Sequence, residues 1–129
     1  MENIAMSKSL EDYLETLFIL AQDQKVVRVK DMTESMKVKT SSVHKALKVL
    51  AEAGFLVHEK YGYIELTDAG TCEGEKIYKK HVMLRRFLSE ILQVSDTVAE
   101  HDACAIEHCL SNETYEKMTR YLEKYGRDI

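Results

Sequence analysis

Residues 26–70, "VVRVKDMTESMKVKTSSVHKALKVLAEAGFLVHEKYGYIELTDAG", constrain the fold more than any other part of the chain, because they set out elements in a fixed order with a stop signal after each. "VVRVKDMTESMKV" reads as a short extended lead and a helix that ends near Lys37. Thr40 is placed to cap a second helix, "TSSVHKALKVLAEAG". On it, Val43, Leu47 and Leu50 share an inward face, Ser41, Ser42, His44, Lys45 and Lys48 point outward, and Gly54 ends the run. "FLVHEKYGYIELT" alternates in strand fashion about a turn at Gly62, which makes a hairpin. Helix, turn, helix, hairpin is the order of a winged helix-turn-helix. Small hydroxyl and basic side chains gather where the second helix begins: Lys39, Thr40, Ser41, Ser42, His44, Lys45 and Lys48. They suit phosphates and base edges in a DNA major groove, and Lys60 and Tyr61 at the hairpin tip are placed to reach phosphate. A generic αα-hairpin with a solvated basic face is the competing interpretation of this pattern.

Charge distribution bears on that choice. The net charge of −4 would by itself discourage nucleic-acid binding. Residues 24–64, however, carry eight basic side chains (Lys25, Arg28, Lys30, Lys37, Lys39, Lys45, Lys48, Lys60) against four acidic ones (Asp31, Glu34, Glu52, Glu59). That segment is therefore about +4 and the remainder about −8, so a basic stretch is set between acidic flanks with different partners. With no Pro, no Trp and five Gly in 129 residues, the chain is expected to be mainly α. It has room for one core or for two small units sharing helices. The expected division is a winged helix-turn-helix over 1–73 followed by an all-helical part over 74–129. Three irregularly spaced cysteines and no apolar leader before "MENIAMSKSLEDY" lead us to expect a cytoplasmic protein without disulfides. No run reaches the roughly 18 apolar residues of a membrane span, so no membrane partner is expected.

The flanks read as helices. "SLEDYLETLFILAQ" opens with Ser9 as N-cap and places Leu10, Tyr13, Leu14, Leu17 and Ala21 on a core stripe. Asp12 and Glu15 lie three residues apart on the far face beside Ile19, either a partly covered acidic pair or a plain solvated helix start. "TCEGEKIYKKHVMLRRFLSEILQV" is expected to run as one amphipathic helix to about residue 94, with Ile77, Leu84, Phe87, Leu88 and Ile91 on one face. His81 sits in its middle and by itself reads as structural. "NETYEKMTRYLEKYG" closes the chain with Tyr115, Met118, Tyr121 and Leu122 available to pack against a second copy.

Between these helices "HDACAIEHCLS", residues 101–111, reads as helix throughout. Positions 101, 104 and 108 stack on one stripe with 107 beside it, so His101, Cys104, Glu107 and His108 can converge. Thiolate, carboxylate and imidazole form a ligand set suited to Fe(II), Mn(II), Zn(II) or Co(II). One helical turn covers only one side of an ion, so further ligands must come from distant elements. The competing interpretation makes Cys104 a small buried hydrophobe and Glu107 and His108 a solvated face. Cys109 lies off the stripe and reads as core.

"EDYLETLF", "TSSVHKALKVLAEAGFL", "LTDAG", "KKHVMLRRFL" and "DACAIEHCLS", in that order, closely resemble the DtxR/MntR family of metal-dependent transcriptional repressors over essentially the whole chain. The resemblance implies homodimers that bind palindromic operator DNA when loaded with Fe(II) or Mn(II), with Zn(II), Co(II) or Ni(II) able to substitute, and that shut off metal-uptake genes. It implies a helical metal-binding and dimerisation domain, and metal ligands at Asp12, Glu15, His81, Cys104, Glu107 and His108. Metal bridging the first helix to the second half of the chain would couple metal binding to DNA binding.

Three departures from the family pattern stand out. The chain stops at Ile129, which matches short members without the SH3-like third domain. Asp12 is the manganese-type residue while Cys104 is the iron-type one. Arg85 stands where iron-type members place a glutamate of an ancillary site, which leaves Glu100 or His101 as substitute ligands. Two other functions use the same residues: a thiol-redox or small-ligand sensor with Cys104 or Cys72 as the reactive group, and a small metalloenzyme. The enzyme ranks far lower, because no nucleophile and base pair or substrate cradle accompanies the ligands.

Overall fold

The computed structural model describes residues 6–59 and 62–126, in two compact units, Met1–Lys76 and Ile77–Ile129.

The first unit begins with helix α1, Lys8–Asp23. Its cap is Ser7, whose hydroxyl accepts from the Leu10 amide at 3.2 Å. Ser9, the expected cap, lies inside the first turn; of the two serines, Ser7 has the extended backbone that leaves its side chain beside the unsatisfied amides. Tyr13, Leu14, Leu17 and Phe18 are buried, Leu10 is half-buried and Ala21 is exposed. The inward stripe thus includes Phe18 and stops short of Ala21.

Strand β1, Val27–Arg28, leads into helix α2, Val29–Met36. Asp31 closes the start of α2 by accepting from the Arg28 amide at 2.9 Å, and Lys37 ends it in the left-handed conformation, φ 55°. Helix α3 spans Thr40–Glu52 with Lys39, not Thr40, as N-cap. Thr40 already has helical geometry there, and no side chain caps the first turn. Gly54, at φ +87°, turns the chain out of α3.

Strands β2, Leu56–His58, and β3, Tyr63–Leu66, pair antiparallel, with Leu56 opposite Leu66 and His58 opposite Ile64. β1 adds to the other side of β3, with Val27 opposite Ile64, giving the order β1-β3-β2. Lys60 and Tyr61 at the hairpin tip lie outside the described residues. Leu14, Leu17, Met32, Val43, Leu47 and Leu50 are fully buried side chains of this unit. At roughly 1.5–3 kcal/mol each, such burial far exceeds the helix propensity differences involved.

Helix α4, Asp68–Arg86, begins in the first unit. Gly70 is required there, since a Cβ would overlap the Phe55 carbonyl oxygen. In the second unit α4 does not continue to residue 94 as expected. It gives way to a π-helical turn, Phe87–Ile91, and ends at Gln93 with φ 59°. Helix α5, Asp96–Ile106, and helix α6, Asn112–Tyr125, complete the unit. Ser111 caps α6, accepting from the Thr114 amide at 3.1 Å. Met83, Leu84, Ala103 and Leu122 form the core, with Phe87, Ile91, Leu110, Tyr115 and Met118 packed on it. Ala99 and Ala103 are completely buried, so α5 presents its smallest side chains inward and its backbone can approach its neighbours closely. The fold is mainly α, a winged helix-turn-helix followed by a helical unit.

Candidate metal centre and nucleic-acid interface

α5 ends at Ile106, so "HDACAIEHCLS" is helix only in its first half. Glu107 is the C-cap, donating its amide to Ala103 O at 3.0 Å, and the Cys109 amide bonds to Ile106 O at 2.9 Å in a tight turn. Lys80 of α4 holds the end of that turn, donating to the Leu110 carbonyl at 3.2 Å. Glu107 and His108 are thereby turned inward, with side chains only 1% and 2% exposed. Two expectations fail on this geometry. His101 points to solvent beside Asp102, at 3.4 Å, and does not join the cluster. Cys109, expected in the core, is exposed because the turn carries it outward. Cys104 is exposed as well, against its interpretation as a buried hydrophobe.

His81 is buried on α4 between the core residues Ile77 and Leu84. Its Nδ1 lies 3.5 Å from Glu107 Oε2 and 3.8 Å from Cys104 Sγ. The other Glu107 oxygen lies 3.5 Å from His108 Nε2. Two donors about 2.0–2.3 Å from one ion, at roughly 90–110° to each other, are separated by about 3–3.7 Å, close to these spacings. Glu107 Oε2 is buried and makes no hydrogen bond among the described residues. A buried carboxylate in that condition is costly unless a cation or proton compensates it. The set of two imidazoles, a carboxylate and a thiol fits a divalent transition metal.

Asp12 and Glu15 are placed by α1 in the first unit, Asp12 half-buried and Glu15 buried at 8% exposure. A solvated helix start does not describe Glu15. The sequence named Glu100 only as a substitute ligand, yet its Oε1 lies 2.9 Å from His81 Nε2, and Oε2 lies 3.8 Å from Arg85. Its signal was the i,i+4 spacing of Glu100 to Cys104 and of His81 to Arg85.

In the first unit, Lys39, Thr40, Ser41, Ser42, His44, Lys45 and Lys48 are all exposed on the outer face of α3, opposite buried Val43, Ala46, Leu47 and Leu50. The first turn of α3, uncapped by side chains, is the positive end of a helix. His44 stacks on His58 of β2 with ring centroids 6.0 Å apart, setting the hairpin beside the helix. Arg28 and Tyr63 brace β1 on β3 through a hydrogen bond of 3.1 Å and a guanidinium 4.9 Å above the ring. No helix among the described residues is long and apolar enough to cross a membrane.

Comparison with known proteins agrees with both halves. Residues 5–64 match the iron dependent repressor N-terminal DNA binding domain, and residues 67–128 match the iron dependent repressor metal binding and dimerisation domain. An uncharacterised helix-turn-helix-type transcriptional regulator of Methanocaldococcus jannaschii is 33% identical over 121 residues, covering 93% of this chain and 97% of that protein. The helix-turn-helix-type transcriptional regulator MntR of Geobacillus thermodenitrificans is 32% identical over 120 residues, covering 93% and 84%. The solved structure of the manganese regulator SloR superposes with a TM-score of 0.78 at 26% identity, covering 92% of this chain. This chain spans about half of that solved chain, 55%. The relatives are transcriptional regulators, not enzymes. A basic winged helix, followed in the same chain by a buried carboxylate and imidazole cluster, agrees with them: the chain belongs to the DtxR/MntR family of metal-dependent transcriptional repressors.

Proposed function

We propose that this repressor senses Fe(II) or Mn(II) and, as a homodimer in the cytoplasm, binds palindromic operators that control metal-uptake genes. The observation that carries the proposal is Glu107, buried at 3% exposure with imidazoles 3.5 Å from each of its oxygens. His81, Cys104, Glu107 and His108 would hold the ion, with Asp12 and Glu15 of α1 completing the set, as the family resemblance implies. When bound, the ion supplies positive charge to a cluster otherwise rich in buried carboxylate. Ligands from α1 and from the second half, as the family resemblance implies, would make metal binding and operator binding one linked equilibrium. Zn(II), Co(II) and Ni(II) suit the same donors.

The domain roles follow the division at 73/74, with DNA contact in 1–73 and metal binding and dimerisation in 74–129. Lys39, Thr40, Ser41, Ser42, His44, Lys45 and Lys48 would face the major groove, and Lys60 and Tyr61 the flanking phosphates. The cytoplasmic assignment is supported by the family's DNA-binding domain and by the lack of a membrane-spanning helix among the described residues.

The experiment is anaerobic selection from random duplex DNA by purified protein, with Mn(II), with Fe(II) and with a chelator. Enrichment of one two-fold-symmetric sequence only in the metal arms is expected. Equal enrichment in the chelator arm would overturn the metal-sensing role.

A further inference from the structure

The two ring nitrogens of His81 face different chemistry. Nε2 lies 2.9 Å from Glu100 Oε1, a hydrogen-bonding distance. Nδ1 lies 3.5 Å from Glu107 Oε2 and 3.8 Å from Cys104 Sγ, the separations of donors arranged about a common point. An ionised carboxylate only accepts, so the short contact requires the hydrogen on Nε2. In the neutral ring the lone pair then belongs to Nδ1.

We propose that Glu100 is a positioning residue that fixes the His81 ring with Nε2 donating, so that Nδ1 is the nitrogen presented to the metal beside Cys104 and Glu107. The proposal deepens the metal site proposed above and rests on it. The surroundings of Glu100 support this role. Its side chain is half exposed, so it meets solvent without the desolvation cost that burial imposes on Glu107. Its second oxygen faces Arg85 at 3.8 Å, in an open polar cleft that Ser89 and Asp96 also line. Arg85 follows His81 by one turn of α4, and Glu100 precedes Cys104 by one turn of α5. The guanidinium and the imidazole of one helix therefore hold one carboxylate of the other. One Glu100 oxygen also lies within 4.8 Å of ligand atoms of His81 and Cys104, so the test must tell an outer partner from a ligand. As an outer partner it orients the ring and raises the basicity of Nδ1, for which typical losses on removal are about 10- to 100-fold in metal affinity.

The test uses the full chain, with Co(II) as the probe under anaerobic conditions. Wild type, Glu100→Ala and Glu100→Gln are compared by Co(II) dissociation constant and by the absorption bands of thiolate-bound cobalt. Nitrogen NMR of the metal-free proteins reads the His81 tautomer. Glu100→Ala should weaken Co(II) binding by about 10- to 100-fold with unchanged band positions, because the ligating atoms are the same. Glu100→Gln keeps a carbonyl oxygen to accept from Nε2 and should recover most of the affinity. The His81 hydrogen should sit on Nε2 in wild type and Glu100→Gln, and be shared between nitrogens in Glu100→Ala. Unchanged affinity and tautomer in Glu100→Ala would overturn the positioning role. Shifted bands in both variants would also overturn it, by making Glu100 a ligand. A wild-type protein that takes up no Co(II), or a His81→Ala variant that binds it equally well, would instead remove the metal site on which the proposal rests.

Discussion

Glu107 and His108 leave the helix that precedes them and turn inward, and the cost of burying them sets their value as ligands. Replacing either by Ala removes a polar donor from the cluster and leaves the apolar core residues Met83, Leu84, Ala103 and Leu122 in place. We expect Glu107→Ala and His108→Ala to lose Mn(II) and Fe(II) binding while keeping the wild-type circular dichroism spectrum. Calorimetry showing wild-type affinities in both would eliminate the assignment. In the proposed site, Cys104 would set metal preference rather than binding as such. A thiolate favours Fe(II), Co(II) or Zn(II), whereas the proposed ligands Asp12 and Glu15 would offer the hard oxygens that Mn(II) accepts. Wild type should respond to Fe(II) at least as well as to Mn(II), and Cys104→Glu should tilt the response toward Mn(II). Anaerobic titration of DNA binding with each metal measures the ratio, and an identical ratio in both proteins would exclude Cys104 as a ligand. That Cys104, Glu107 and His108 lie near one another was legible from spacing, whereas their role as ligands was implied only by the family resemblance. Cys109 was misplaced because spacing assumes an unbroken helix, and α5 stops at Ile106, whereas His101 lies within α5 on a face that points to solvent.

At the scale of elements, α3 shows how far periodicity reaches. Its buried positions are Val43, Ala46, Leu47 and Leu50 and its exposed ones carry the hydroxyl and basic side chains, as a 3.6-residue repeat requires. Lys45→Ala should weaken DNA binding and flatten its salt dependence if Lys45 meets phosphate. If Lys45 reads a base edge, it should relax one position at about 1–3 kcal/mol. Fluorescence anisotropy over a salt series separates the two, and an unchanged affinity and slope would exclude contact. Gly70 is a constraint of a different kind, since α4 starts against the Phe55 carbonyl. Gly70→Ala should destabilise the fold by about 1–3 kcal/mol through the forced shift of backbone, measurable by urea unfolding. An unaltered midpoint would show that α4 starts elsewhere. Helix ends were the least legible feature: Ser7 replaces Ser9, Lys39 replaces Thr40, and a π-helical turn replaces the last turns of α4. Each depends on which backbone amides are left without partners, a property of the folded chain.

For the molecule as a whole, the charge of −4 is divided between a basic segment, residues 24–64, and acidic flanks. A cation held by the folded ligand set, but not by the unfolded chain, must raise stability by mass action. At a free metal concentration a hundredfold above the dissociation constant the gain is about 2.7 kcal/mol. Mn(II) or Fe(II) should therefore raise the thermal midpoint in wild type and leave that of Glu107→Ala unmoved, a comparison made by calorimetric scans with and without chelator. A midpoint insensitive to metal in wild type would contradict a site formed on folding. The amino-acid sequence by itself determined the winged helix, the outward set on α3 and the nearness of Cys104, Glu107 and His108 in the chain, because apolar period, turn residues and local spacing act over a few neighbours. Only the tertiary structure decided that Glu107 and His108 turn inward, that Cys109 and His101 face solvent, and that Glu100 meets His81. Those outcomes depend on where α5 ends, on which face of α5 meets the core, and on how closely its buried alanines let it approach α4, which local periodicity does not encode.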